Sequence, residues 1–99
     1  MENPSIAQKN DLARQTMRGC RVVLTASLSS SQNLEAIIEA VRKFDKFTNS
    51  NDPYFEHDFS FFIVDGERYF FKFDYYDDRY EFFQEDGNRV ITIGRADEY

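Results

Sequence analysis

The stretch EHDFSFFIVDGERYFFKFDYY, residues 56–76, decides how this chain folds. Two aromatic-rich runs meet at Asp65-Gly66, a pair suited to a two-residue type I′ turn because both positions tolerate positive φ. The reading is therefore a β-hairpin, and the turn fixes its register. Val64 faces Glu67, Phe62 faces Tyr69, Ser60 faces Phe71 and Asp58 faces Phe73 on one surface. Ile63 faces Arg68, Phe61 faces Phe70, Phe59 faces Lys72 and His57 faces Asp74 on the other. Both surfaces are apolar near the turn, and each buried Phe or Tyr removes roughly 150–250 Å² from water. One face can be covered by helices. The other is expected to be partly covered by the chain termini, or to remain as an aromatic patch that meets a partner or a second copy.

Downstream, residues 76–79 read as a second tight turn into YEFFQ, and Glu85-Asp86-Gly87-Asn88 as a third, into RVITIGR. Upstream, Leu34, Ile37, Ile38, Val41, Phe44 and Phe47 recur at helical spacing, with Glu35, Glu39, Arg42, Lys43 and Lys46 on the opposite face. Residues 49–53, closed by Pro53, end that helix. Residues 27–33 read as a loop, and Cys20 to Ala26 as a short strand. A first helix is expected from Pro4 to Arg18, with Asn3 as its cap, Gly19 as its stop, and Arg14 and Arg18 at the negative end of its dipole. The expectation is one α+β domain over residues 1–99: two helices packed on a mainly antiparallel five-stranded sheet, in the order α-β-α-β-β-β-β.

Charge is distributed unevenly. Residues 1–46 hold seven Lys/Arg and five Asp/Glu, a net of +2, while residues 47–99 hold five and thirteen, a net of −8, which together give the overall −6. All seventeen aromatic residues lie between Phe44 and Tyr99. Disordered acidic tails are poor in aromatics, so this half reads as a folded sheet with an acidic rim. The interleaved RYFFKF is like strands on which RNA-binding modules stack bases, but a half carrying −8 repels phosphate, so no direct nucleic-acid binding is expected.

Few chemistries find residues to carry them. Cys20 has no second cysteine and reads as a small buried hydrophobe. Phosphate-cradling glycine loops, GxSxG and HExxH are missing, and Asp77-Asp78 lacks the spaced ligands of a calcium loop. The single histidine, His57, is placed by the hairpin register beside Asp74 as a structural pair. No catalytic residue, metal or cofactor is expected. No run approaches the roughly 20 apolar residues of a membrane span, and no signal-peptide pattern opens the chain; a cytoplasmic protein is the expectation.

A folded surface with rows of carboxylates can occupy a cationic groove that otherwise holds phosphates, with aromatics as anchors. The residues expected to meet such a partner are Asp52, Glu56, Asp58, Asp74, Tyr75, Tyr76, Asp77, Asp78, Tyr80, Glu81, Glu85 and Asp86.

The segments NDLARQTMRGCRVVLTA, VRKFDKFTNSNDPYFEHDFSFF, VDGERYFFKFDYYDD and ADEY resemble a small family of bacterial proteins of unknown function carried on plasmids, phages and integrated elements. The resemblance implies a bacterial host cytoplasm and a counter-defence role. The expected function is a non-enzymatic inhibitor of the anti-CRISPR type, bound to a CRISPR effector or another nucleic-acid-binding defence protein. A homodimeric interaction module or adaptor is the alternative, and a small metal-dependent enzyme centred on His57, Glu56 and Asp58 stands behind it.

Overall fold

The computed structural model describes residues 5–99. In chain order its elements are α1 (Ile6–Thr16), β1 (Cys20–Leu24), α2 (Ala26–Ser29), α3 (Leu34–Lys43), β2 (Phe59–Val64), β3 (Glu67–Tyr76), β4 (Asn88–Arg95) and a closing 3-10 turn, Ala96–Glu98. The hairpin stands in the register read from its turn, from Val64 opposite Glu67 to Phe59 opposite Lys72. Asp65 and Gly66 both take positive φ, 51° and 80°.

Beyond the hairpin the sheet departs from expectation. Among the described residues it has four strands in the order β1-β4-β3-β2, and it is mixed: β4 runs antiparallel to β3 but parallel to β1. The segment YEFFQ is not a strand and contributes a single bridge, Phe83 to Tyr76. The reason is competition for the flank of β3. All eight residues of β4, from Asn88 opposite Tyr76 to Arg95 opposite Tyr69, pair with β3 directly. Ile91 and Ile93 thereby enter the core completely, which a charged YEFFQ could not match. Residues 77–87 leave the sheet as an excursion between neighbouring strands.

The helices differ as well. Asn3 and Pro4, the expected helix start, lie outside the described residues; α1 is capped by Ser5, whose hydroxyl accepts from the Gln8 amide at 3.1 Å while Gln8 Oε1 accepts from the Ser5 amide at 2.8 Å, a capping box. It closes at Met17, left-handed at φ 55°, before Gly19 at φ 72° turns the chain into β1. Where a loop was expected, α2 forms and buries Leu28. α3 stops at Lys43 instead of running to Phe47, because Phe44 turns extended. The two phenylalanines then pack edge to face at 4.9 Å, each also against Phe71.

One sheet face carries the core: Phe62, Tyr69, Phe71, Phe73, Tyr75, Ile91 and Ile93 pack against Ala13, Leu28, Ile37 and Val41. On the other face, Tyr99 lies over Phe70, Phe59 and Phe61 at centroid distances of 5.2, 5.0 and 6.0 Å, and Phe70 is 2% exposed. Glu98 holds this cover in place by accepting from the Ser27 and Thr25 hydroxyls at 2.6 and 2.9 Å and from the Arg95 amide at 3.0 Å. Those bonds, the Ser27 hydroxyl foremost, keep its carboxyl below the usual range. At Gly94 a β-carbon would collide with Thr25 and the Phe70 ring, so only glycine lets the chain pass beneath them. Among the described residues no helix is long and apolar enough to cross a membrane.

Candidate functional site

A buried polar core places the site. Asn10, fully buried on α1, donates from Nδ2 to the Glu56 carbonyl at 2.9 Å and to the Tyr75 hydroxyl at 2.8 Å, and its Oδ1 accepts from Arg89 Nε at 2.7 Å. One side chain thus joins α1, the approach to β2, β3 and β4. One turn on, Arg14 donates from its NH1 nitrogen to the carbonyls of Val41 and Phe44 at 3.0 and 2.6 Å, and from NH2 to Asp11 Oδ1 at 2.6 Å. The sequence suggested that Arg14 served its own helix; it caps the C-terminal end of α3 instead.

His57 belongs to this network and not to the expected pair with Asp74. It stands before β2 begins, at φ 54°, where the strand register no longer applies. Its Nδ1 lies 2.9 Å from Asp11 Oδ1, its Nε2 lies 3.5 Å from Asp52 Oδ2, and its ring stacks on Phe47 at 4.0 Å. Both ring nitrogens face carboxylates. Among the described residues no three His, Cys, Asp or Glu side chains converge as a metal site. Cys20 is half-buried where full burial was expected, and that burial pushes its thiol up.

Around this core opens an acidic cleft of about 390 Å³. Seven of the twelve expected contact residues line it: Glu56, Asp58, Asp74, Tyr75, Tyr76, Glu85 and Asp86, with Ile6, Phe73 and Phe83. Their charges are not equivalent. Asp86 is clamped by Lys9 Nζ and by Arg89, each at 2.6 Å, and the Lys9 bond foremost holds it below the usual carboxylate range. Asp74 has Lys72 at 3.4 Å. Among the described residues no cation pairs with Glu56, Asp58 or Glu85. Burial, then the carboxylates of Asp58, Asp52 and Glu85, push Glu56 up. Burial, then Asp52 and Asp74, push Asp58 up against the bond from its own backbone.

The other five residues sit elsewhere. Asp52 is 3% exposed and accepts from the Glu56 and His57 amides, each at 3.1 Å, so it braces the segment and meets nothing outside. Asp77 and Asp78 organise the excursion: Asp77 accepts from the Arg79 and Glu81 amides at 3.1 Å, and Asp78 from Asn88 Nδ2 at 3.1 Å. Tyr80, at φ 58°, lies under the Arg21 guanidinium at 3.5 Å. Glu81 is exposed on the excursion. Next to it Phe82 and Phe83 stand 69% and 73% exposed. Sequence reasoning missed this pair, since it read them as strand residues; the flanking acids were the signal that they faced water.

The raised carboxyls give a stability prediction. Asp58 binds its proton more tightly in the folded chain than in the unfolded one, so its contribution falls as pH rises through that window and stays unfavourable above it. Asp58→Asn is expected to raise the thermal midpoint at pH 7 and to leave it unchanged near pH 3, where both states are protonated. Melts at the two pH values check this; an equal shift at both would assign the effect to packing.

The family described as "Protein of unknown function (DUF3768)" matches residues 21–98. The chain belongs to it. The match holds all twelve expected contact residues and leaves out α1, whose Lys9 bonds Asp86 and whose Asn10 bonds Glu56 and Tyr75 of the cleft from outside the matched range. No curated protein and no solved structure matches the chain. The family description assigns no activity, so function rests on the residues themselves.

Proposed function

We propose that the chain is a non-enzymatic binding protein whose acidic cleft and aromatic excursion engage a cationic surface on another protein. The partner is the groove in which a bacterial nucleic-acid-targeting defence complex, such as a CRISPR effector, otherwise holds phosphates, and the chain acts there as an inhibitor in the host cytoplasm. The observation that carries this reading is that Glu56, Asp58 and Glu85 share one cleft with no cation paired to them among the described residues, and that Glu56 and Asp58 are raised by burial and by neighbouring carboxylates. Stability is given up to keep these carboxylates together, as happens where function and not folding sets the residue. A partner's Lys or Arg side chains would relieve the repulsion, so binding would release protons and weaken as pH falls.

Phe82 and Phe83 add what charge alone lacks. Carboxylates steer an encounter and fix its register, while desolvated aromatics at the centre hold it. The cleft and the excursion share Phe83, so anchor and acidic wall form one surface.

The test is capture of purified CRISPR effector complexes by the immobilised protein, with and without prebound nucleic acid and across a salt series. Capture that disappears with prebound nucleic acid and falls with salt is expected. Capture indifferent to both would overturn mimicry, and no capture by any complex would overturn this class of partner.

A further inference from the structure

The free edge of β2 is built differently from the cleft. Asp58, whose carbonyl accepts from the Phe73 amide at 2.7 Å, and every second residue to Val64 direct their backbone groups toward β3. The N–H and C=O groups of Phe59, Phe61 and Ile63 therefore point away from the sheet. The Ser60 hydroxyl takes the Phe61 carbonyl at 3.0 Å; among the described residues the other outward groups have no hydrogen-bond partner. Edge strands ordinarily carry charges, proline or a bulge that discourage further pairing. The strand FSFFIV carries none of these, and Ile63 is 70% exposed.

A trough follows this edge. One part, about 590 Å³, is walled by Ala40 of α3, by Phe44 just beyond that helix, and by Phe62 and Ile63; the next, about 440 Å³, continues along Phe59 to Phe61. Its charge is the reverse of the cleft's. Lys46 and Arg68 stand on its walls, and among the described residues neither pairs with a carboxylate. The Arg68 guanidinium rests over the Phe61 ring at 4.0 Å. In a chain with eighteen acids and twelve bases, two unanswered cations on one apolar trough are a local inversion of sign.

We infer that the β2 edge is a second docking site, which takes an extended peptide segment of alternating apolar and acidic residues as a fifth strand. Main-chain bonds to Phe59, Phe61 and Ile63 supply the affinity of strand addition, the apolar trough accepts alternate side chains, and Lys46 and Arg68 meet the carboxylates. A second copy is the less fitting occupant, because its own β2 brings no charge to either cation.

The probe is a fluorescein-labelled decapeptide of alternating valine and glutamate with blocked ends, titrated against the whole chain by anisotropy beside valine–serine and valine–lysine peptides. Saturable binding of the glutamate peptide is expected, weakened about tenfold or more for serine and lost for lysine. Ile63→Pro removes one outward N–H and leaves the bonds to β3 intact; a loss of at least about tenfold with an unchanged circular dichroism spectrum is expected. Lys46→Glu with Arg68→Glu, both at the surface, should weaken the glutamate peptide similarly, and this pair decides the matter if Ile63→Pro does not fold. No binding of the glutamate peptide, equal binding of the lysine peptide, or a chain dimer in sedimentation that Ile63→Pro dissociates would each overturn the proposal, the last giving the edge to a second copy.

Discussion

Arg14→Met is expected to lower the unfolding free energy by about 3–5 kcal/mol, a large share of the roughly 5–15 kcal/mol typical of a folded domain. The residue is 1% exposed and joins two helices that the sequence separates by some thirty residues. Methionine would fill the same space beside Phe47 and Phe71, which the guanidinium approaches at 5.4 and 5.7 Å. It would leave the Val41 and Phe44 carbonyls without their donor and Asp11 without its cation, and stranded buried polar groups are costly. His57, held on Asp11 and stacked on Phe47, would loosen with them. Arg14→Lys should recover only part of the loss, since an ammonium cannot reach both carbonyls and the carboxylate with the planar fork of a guanidinium. Urea denaturation measures both variants; a loss below about 1 kcal/mol for methionine would show that the carbonyls find water instead.

Glu56→Lys with Glu85→Lys is expected to abolish effector capture, about a hundredfold or more in affinity, while leaving the fold intact. Close charge pairs across an interface couple by roughly 1.5–7 kcal/mol, and this variant replaces two attractions with two repulsions. Within the chain the change runs the other way. Glu56 loses its repulsion from Asp58, Asp52 and Glu85, so the thermal midpoint should hold or rise. A surface tuned for stability would not show that opposition between binding and folding. Phe82→Ala with Phe83→Ala is the complement: affinity should drop while the salt dependence stays the same, because the anchors carry no charge. Isothermal titration at two salt concentrations separates the variants, and full affinity in the lysine variant would remove the electrostatic reading.

How much of this was legible in the sequence depended on the range of the interaction involved. The hairpin register was readable because Asp65-Gly66 sets it within two residues, and every pairing from Val64 to Phe59 followed. α3 was readable from its apolar spacing, although its end was not, because the group that caps it, Arg14, comes from another helix. The acidity of the site was legible as composition, and seven of its twelve expected residues do converge. Asp52 looked like a surface acid because its neighbours are polar, yet the amides of Glu56 and His57 hold it inside.

By itself, then, the sequence determined the elements whose signals are local: the type I′ turn, the amphipathic helix, and a C-terminal half both acidic and aromatic. Tertiary structure alone decided which strands lie beside that hairpin. Both YEFFQ and RVITIGR alternate well enough to pair with β3, and the choice fell to β4 because Ile91 and Ile93 fill the space beneath the helices completely. That long-range packing put β1 parallel to β4, expelled residues 77–87 with Phe82 and Phe83 into water, and left β2 with a free edge. The same packing decided which carboxylates are clamped, as Asp86 is by Lys9 and Arg89, and which are left to repel one another, because charge pairing depends on distances that chain order does not contain.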